Sequence, residues 1–179
     1  FNMMETEKGL WFFGNRGAAL QTREGGRWSG YFDNNGLKHA VVHDGLRDAR
    51  GTLWLATRKS GLNLININGR WSYEMTDTNC RKLLKASDGS IWVGSDAGVL
   101  KYKDSFSKPE IIKEAGVLLP EFEGNDGSIW FSSETIGTWK LKDNLFEQID
   151  ETPSYKAFLL SNGRVLLATT RGIKELDSN

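Results

Sequence analysis

A segment of about forty residues recurs five times along this chain, and this repeat constrains the fold more than any other feature. Its clearest copy, residues 88–102, contains an Asp-Gly turn, an alternating strand with Trp92, a polar loop that ends in glycine, and a second alternating strand. The other copies centre on Trp11, Trp54, Trp130 and Leu166, and equivalent positions lie 43, 38, 38 and 36 residues apart. This spacing is typical of a propeller blade or a helical solenoid.

The residue pattern favours strands over helices. Apolar residues alternate at period two, β-branched and aromatic residues are frequent, and 20 glycines punctuate the chain. We therefore predict an all-β fold, a single-domain β-propeller with five blades of mostly four antiparallel strands. The predicted blades span about 1–36, 37–78, 79–116, 117–154 and 155–179. The last repeat lacks a segment for its outer strand, so the fifth blade is expected to be thin.

Two arrangements of the five blades are open. Either they close into a ring that contains one thin blade, or the chain is a segment of a longer array. An open arc leaves two apolar blade faces in water, whereas a ring leaves only short, protected edges. We therefore expect closure, and a monomer rather than an oligomer.

Length and charge exclude several classes of protein. A chain of 179 residues can bury a sizeable core without disulfides or metals. The 23 Lys and Arg residues balance the 23 Asp and Glu residues, so no overall field favours nucleic acid or an anionic membrane. The single cysteine, Cys80, excludes an intramolecular disulfide. No apolar run reaches the length of a membrane-spanning helix, so we expect neither a nucleic-acid partner nor membrane contact by this chain.

The repeat resembles that of the two-component regulator propellers. Residues 48–62, DARGTLWLATRKSGL, are a close match to that pattern, as are residues 88–99. The fourth and fifth copies drift, because Gly137-Thr138 replaces a Gly-Leu pair and Leu166 stands in place of Trp. The resemblance covers essentially the whole chain. It implies a bacterial propeller of the kind found in the extracytoplasmic sensor portions of hybrid histidine kinases and in free-standing propellers, and therefore a periplasmic or extracellular location.

The seven tryptophans could indicate carbohydrate binding, because sugar rings stack on exposed indoles. Trp11, Trp54, Trp92 and Trp130 share one repeat position after Leu or Ile, which predicts packing between blades instead. The three others are better candidates for partial exposure, although rim packing is favoured for them too: Trp28, Trp71 and Trp139.

The resemblance implies that the loops between second and third strands share one face with the blade connections, and that inner strands line a central channel. Loops on a rigid scaffold are where binding residues concentrate. The predicted ligand-binding residues of this loop face are Asn15, Arg16, Arg58, Lys59, Ser60, Asp96, Glu134, Thr135 and Arg171. Strand alternation predicts the channel-lining residues Glu5, Arg47, Lys85, Glu121 and Glu123. A water-filled network of ion pairs is the alternative interpretation of this second set.

No motif predicts catalysis, a metal or a cofactor. His39 and His43 lack metal-ligand spacing with Cys80. The strand pattern is also similar to that of streptogramin lyases, seven-bladed propellers that need a catalytic histidine in a late blade, and this chain has no histidine after His43. We predict a non-catalytic sensing propeller that binds a small molecule, for example a glycan fragment, or a protein. The alternatives are an assembly module whose open arc completes another chain, and a lyase or hydrolase that uses channel carboxylates.

Overall fold

The computed structural model describes residues 2–113 and 116–176, which form nineteen strands in five antiparallel sheets. Sheet 1 contains β1 (Asn2–Thr6), β2 (Gly9–Gly14), β3 (Gly17–Thr22) and β4 (Trp28–Tyr31); sheet 2 contains β5 (Val42–Arg47), β6 (Leu53–Thr57), β7 (Leu62–Ile65) and β8 (Trp71–Glu74). Sheet 3 contains β9 (Cys80–Lys85), β10 (Ile91–Ser95), β11 (Gly98–Tyr102) and β12 (Glu110–Lys113); sheet 4 contains β13 (Leu119–Glu123), β14 (Ile129–Ser132), β15 (Thr138–Lys142) and β16 (Leu145–Asp150). Sheet 5 contains β17 (Ser154–Leu159), β18 (Val165–Thr169) and β19 (Gly172–Leu176).

This arrangement confirms the all-β propeller architecture with a thin last blade. Each sheet is a meander in which consecutive strands pair, and only the fifth has three strands. No helix among the described residues is long and apolar enough to cross a membrane.

The Asp-Gly turns form as the sequence predicts. The Asp88 carboxylate accepts a hydrogen bond from the Ser90 amide at 2.8 Å, and Asp126 accepts one from the Ser128 amide at 3.2 Å. Gly89 has φ +85°, in the left-handed region that glycine adopts without a steric cost. These local contacts set the start of the second strand in the third and fourth repeats.

The core lies between sheets, not within them. The four repeat tryptophans, Trp11, Trp54, Trp92 and Trp130, are 0–8% exposed, which confirms their predicted packing role. Four apolar clusters join sheets 1 and 2, 2 and 3, 3 and 4, and 4 and 5. In each interface the face that carries the tryptophan, which we call the front face, packs on the back face of the next sheet.

Two sheet faces have no neighbour of this kind. The back-face residues Leu55, Val93, Phe131 and Leu167, one from each of sheets 2 to 5, are fully buried. Phe12 occupies the same position in sheet 1 and is only half-buried. The exposed apolar side chains on the back face of sheet 1 are Met3, Trp28 and Phe32. On the front face of sheet 5, Phe158 and Ile173 are exposed.

The five sheets therefore form an open arc, and the expected ring closure is wrong. Among the described residues, extensive strand packing joins only consecutive sheets, and no apolar cluster joins sheet 5 to sheet 1. The repeat pattern shows which residues lie at a blade interface, but it does not contain the angle between neighbouring blades. That angle decides how many blades complete a circle. We refer to the back face of sheet 1 and the front face of sheet 5 as the end faces.

Candidate functional site

The inner strand of each sheet is its first strand, and neighbouring inner strands pack on one another along the arc. Each inner strand starts beside the blade connection, at the same end of the sheet as the hairpin between the second and third strands. Two different segments of every blade are therefore brought to one surface. This surface is the loop face.

All nine predicted loop-face residues lie in hairpins between second and third strands. Eight are exposed and Ser60 is half-buried. They are distributed along the whole arc. The structure joins two of them, Lys59 and Asp96, in one polar group through Asn79.

The polar group around Asp96 joins sheets 2 and 3. The Arg81 Nε donates to the Asp96 carboxylate at 2.6 Å, and the Asn79 side-chain amide donates to its other oxygen at 2.6 Å. The Asn79 side-chain oxygen in turn accepts from the Lys59 amide at 2.8 Å. Burial raises the pKa of Asp96, but the hydrogen bonds from Arg81 and Asn79 outweigh it, so the net shift is downward. Asp96 is therefore a fixed anion.

Two arginines act on His43 beside this group, and the Asp96 carboxylate opposes them. The pKa of His43 is lowered by its burial and then by the charges of Arg81 and Arg58. His43 is thus neutral at physiological pH. A ligand that carries negative charge would experience the same two arginines as an attraction.

One level deeper, a row of polar residues crosses the inner strands. Asn2, Asp44, Lys82 and Lys156 each pair with the residue that lies two positions after the tryptophan position of their own sheet. Glu121 occupies a bulge in β13 and accepts a hydrogen bond from the Ser132 hydroxyl, which lies two positions after Trp130, at 2.6 Å. We call these five residues the inner row.

Asp44 is the most constrained member of the inner row. Its carboxylate accepts hydrogen bonds from the Asn2 side chain at 2.5 Å, from the Gly45 amide at 2.9 Å and from the Leu83 amide at 2.9 Å. The side chain is 5% exposed, and the Lys82 ammonium lies 3.8 Å away. Donors from three sheets therefore hold this anion in place.

Glu121 has a different environment. Its side chain is 2% exposed, and its second oxygen, Oε2, is buried without a hydrogen-bond partner among the described residues. The Lys156 ammonium is 3.7 Å from that oxygen, beyond hydrogen-bonding distance. Burial raises the pKa of Glu121, although the Ser132 hydrogen bond and the two lysines oppose the shift. The pKa of Lys156 is lowered by burial and by the neighbouring charge of Lys82.

The other predicted channel residues lie at the opposite end of the inner strands. Glu5 forms an exposed ion pair with Arg23 of its own sheet. Arg47 donates to the Gly51 carbonyl at 2.6 Å, and Glu123 accepts from the Ser87 amide at 2.6 Å. Lys85 is exposed. Of the five predicted residues, only Glu121 belongs to the inner row.

Sequence reasoning missed Asp44, Lys82 and Lys156, although a signal existed. Each lies ten residues before the tryptophan position of its repeat, at Trp54, Trp92 and Leu166 respectively. A charged residue at the same repeat position of three inner strands indicates a shared polar level. The loop-face residues Asn79 and Arg81 carry no comparable signal, because their contacts depend on the fold.

A groove of about 410 Å³ opens between sheets 4 and 5, away from the loop face. It is lined by Trp130, Leu159 and Leu176 with Lys140 and Asp126, and Lys140 forms an ion pair with Asp126 at 3.1 Å. None of the predicted loop-face or channel residues lines it. Within residues 2–113 and 116–176, no group of three or more His, Cys, Asp or Glu residues is positioned to hold a metal ion.

Comparison with known proteins supports the fold. No protein-family model and no curated protein sequence matches the chain. Among solved structures, it is similar to the extracellular domain of BT3049 from B. thetaiotaomicron, assigned to the hybrid two component systems, with 17% identity, a TM-score of 0.85 and coverage of 99% of this chain and 26% of that one. It is also similar to the extracellular domain of BT4673 from the same organism, assigned to the one component systems. That match has 14% identity, a TM-score of 0.82 and coverage of 97% of this chain and 26% of that one.

Virginiamycin B lyase from Staphylococcus aureus has the same fold, with 14% identity, a TM-score of 0.71 and coverage of 98% of this chain and 68% of the lyase. At such identities the likeness establishes a shared fold, and it confirms the propeller that the repeat implied. The chain spans about a quarter of the length of the two extracellular domains, at 26% of each.

Proposed function

We propose that this chain is a non-catalytic binding propeller of an extracytoplasmic sensor, and that it binds a small polar ligand at the loop face and the adjoining inner row. One observation carries the proposal. Inner strands from four sheets converge at the loop-face end with two carboxylates and two ammonium groups, and one buried carboxylate oxygen has no hydrogen-bond partner there. Buried polar atoms in folded proteins are nearly always paired, so this oxygen is available to a ligand.

The similar extracellular domains support the placement outside the cytoplasm and the sensing role. Propellers host many functions on one scaffold, so the ligand has to be argued from the site. The arginines above the inner row supply the field that attracts a polar, negatively charged group. The rigid sheets below supply the fixed geometry that binding requires.

The binding proposal is tested by calorimetry with a panel of neutral and acidic saccharides and small organic acids. Arg81→Ala should weaken binding of any ligand the wild type binds, because Arg81 holds Asp96 on the loop face. Arg164→Ala is the matched control, since Arg164 also forms an exposed ion pair, with Glu175 at 2.8 Å, in a remote turn. An equal loss of ligand affinity in Arg81→Ala and Arg164→Ala, or no binding by the wild type, would contradict the proposal.

A second function, an assembly module whose open arc is completed by another chain, is supported by the end faces. The two end faces are one front face and one back face, the same pair that packs at every interface inside the arc. The virginiamycin B lyase comparison leaves about a third of that longer chain without a counterpart, given the 68% coverage. We infer that the end faces accept further blades.

Light scattering tests the assembly proposal with copies of the chain itself, because the front face of sheet 5 in one copy complements the back face of sheet 1 in another. The mass should rise with concentration, and Ile173→Glu on the end face should abolish the rise. Ile67→Glu is the control, because Ile67 is also exposed, at 73%, but lies in a turn of sheet 2. A mass that stays monomeric at all concentrations would argue against the assembly role.

A further inference from the structure

The donors and acceptors of the inner row specify a chemical class of ligand. Lys82 and Lys156 lie 3.8 Å and 3.7 Å from the carboxylates of Asp44 and Glu121, both beyond hydrogen-bonding distance. Among the described residues, neither ammonium group donates a side-chain hydrogen bond to a carboxylate. Each therefore keeps donors available, and the Lys156 side chain is 40% exposed, which leaves the row accessible from sheet 5.

Lys82 and Lys156 lie at the same level of β9 and β17, the two inner strands that flank β13 and its Glu121. The charge of Lys82 lowers the pKa of Lys156, after the effect of burial. Two like charges held together are stabilised by an anion placed between them. A planar carboxylate has two oxygens, and so it can accept from both ammonium groups at once.

The two carboxylates already present form ion pairs with the lysines, but neither accepts a hydrogen bond from an ammonium group of the described residues. The Asp44 carboxylate has three hydrogen-bond donors of its own, from Asn2 and from two backbone amides. Glu121 uses one oxygen for the Ser132 hydroxyl, at 2.6 Å, and its other oxygen is the unpartnered acceptor. The free capacity of the site is therefore two cationic donors and one acceptor that needs a hydroxyl or amine donor.

We propose that the inner row binds a hydroxy acid: its carboxylate bridges Lys82 and Lys156, and a hydroxyl on a neighbouring carbon donates to Oε2 of Glu121. Uronic acids and simple 2-hydroxy acids share this arrangement of groups. The inference rests on the proposed binding function and names the ligand chemistry of the same site.

The test compares pairs of probes that differ by one group. Glycolate carries the hydroxyl that acetate lacks, and D-glucuronate carries the carboxylate that D-glucose lacks. Wild-type protein should bind glycolate more tightly than acetate, and D-glucuronate more tightly than D-glucose, by about ten-fold or more in each pair, the range expected for hydrogen bonds to charged groups. Binding is followed by calorimetry and by the thermal shift.

Variants assign the effect to the named groups. Lys82→Gln should weaken binding of both carboxylate probes by about ten-fold, whereas Lys103→Gln, an exposed lysine at the other end of sheet 3, should not. Glu121→Leu should leave acetate binding in place and remove the preference for glycolate. Glu121→Gln keeps an acceptor oxygen and should retain part of that preference, and it serves if the leucine variant does not fold.

The outcomes separate the two proposals. If neutral saccharides bind as well as D-glucuronate and Arg81→Ala weakens them, the ligand assignment fails while the binding function stands. If no probe and no member of the saccharide panel binds, both fail. If glycolate and acetate bind equally and Lys103→Gln is as harmful as Lys82→Gln, the lysines act only through general charge and the proposed site is overturned.

Discussion

The open arc makes a quantitative prediction about two equivalent positions. Leu55, on the back face of sheet 2, is 0% exposed and packs in the cluster between sheets 1 and 2. Leu55→Ala removes buried methyl groups and leaves a cavity, so it should cost about 3 kcal/mol of unfolding free energy, within the range of about 2–5 for buried Leu→Ala changes. Phe12 holds the same position on the uncovered back face of sheet 1.

Phe12→Ala removes a larger side chain, yet it should cost less. The Phe12 ring contacts Trp28, whose side chain is itself 60% exposed, with ring centroids 5.4 Å apart. Its removal opens no enclosed cavity, and only the covered part of the ring contributes, which we place at about 1 kcal/mol. A fully buried phenylalanine would cost about 3–5 kcal/mol. The order of the two variants therefore depends on whether sheet 1 has a neighbour on its back face.

Urea unfolding followed by tryptophan fluorescence measures both variants, at protein concentrations where light scattering shows a monomer. With a slope of about 2–3 kcal/mol per molar urea, Leu55→Ala should lower the midpoint by about 1–1.5 M and Phe12→Ala by less than about 0.5 M. A Phe12→Ala shift as large as that of Leu55→Ala would show that the back face of sheet 1 is covered in the monomer. The open arc would then be wrong.

Three further predictions concern single groups. Burial raises the pKa of Cys80 to about 12, so the native thiol should not react with a disulfide reagent at pH 8 but should react in urea; rapid native labelling would contradict its burial. The Ser128 hydrogen bond and nearby lysines outweigh partial burial and lower the pKa of Asp126. Its contribution to stability is therefore present above pH 3.8 and lost as the pH falls towards its folded value. Asp126→Asn should flatten the acid limb of the unfolding free energy, and an unchanged slope would refute this. Gly94→Ala would place a Cβ 2.7 Å from a backbone oxygen of the neighbouring sheet, whereas Gly89→Ala meets no atom within 4 Å. Gly94→Ala should thus lower the unfolding free energy by about 1–3 kcal/mol through overpacking, and Gly89→Ala by about 1 kcal/mol because of its left-handed backbone. Urea unfolding measures both variants. A smaller loss for Gly94→Ala than for Gly89→Ala would count against the tight approach of sheets 3 and 4.

The strands and turns could be predicted because their causes are local. Asp88-Gly89 specifies a turn through its own side chain and backbone, and period-two alternation then carries Trp92 into the interface. The thin fifth blade follows in the same way from a missing segment. Ring closure has a different origin, because it depends on angles between sheets that no residue pattern of a single blade contains.

Strand alternation alone misses most of the inner row, because it puts Asp44, Lys82 and Lys156 on the side of Leu46, Leu84 and Phe158, which is the predicted core side. The inner strands of sheets 2 to 5 each contain a bulge near the loop face, which leaves His43, Arg81, Glu121 and Tyr155 unpaired. A bulge re-aims the side chains around it. Strict alternation therefore predicts channel residues such as Arg47 and Lys85, whereas the charged residues that meet lie at the other end of these strands.

The serial order of the four interfaces has a consequence for cooperativity. In a closed ring every blade has two neighbours, and a blade that opens on one side is still held on the other. In this arc sheet 5 packs on one neighbour, sheet 4, and the apolar cluster between them, with Trp130, Ala157, Val165 and Leu167, is the smallest of the four among the described residues. Local opening should thus begin at this terminal sheet and proceed one interface at a time, as in a linear array with nearest-neighbour coupling. Lys156 of the inner row belongs to that sheet. A ligand that bridges Lys82 and Lys156 would therefore stabilise the terminal sheet against local opening.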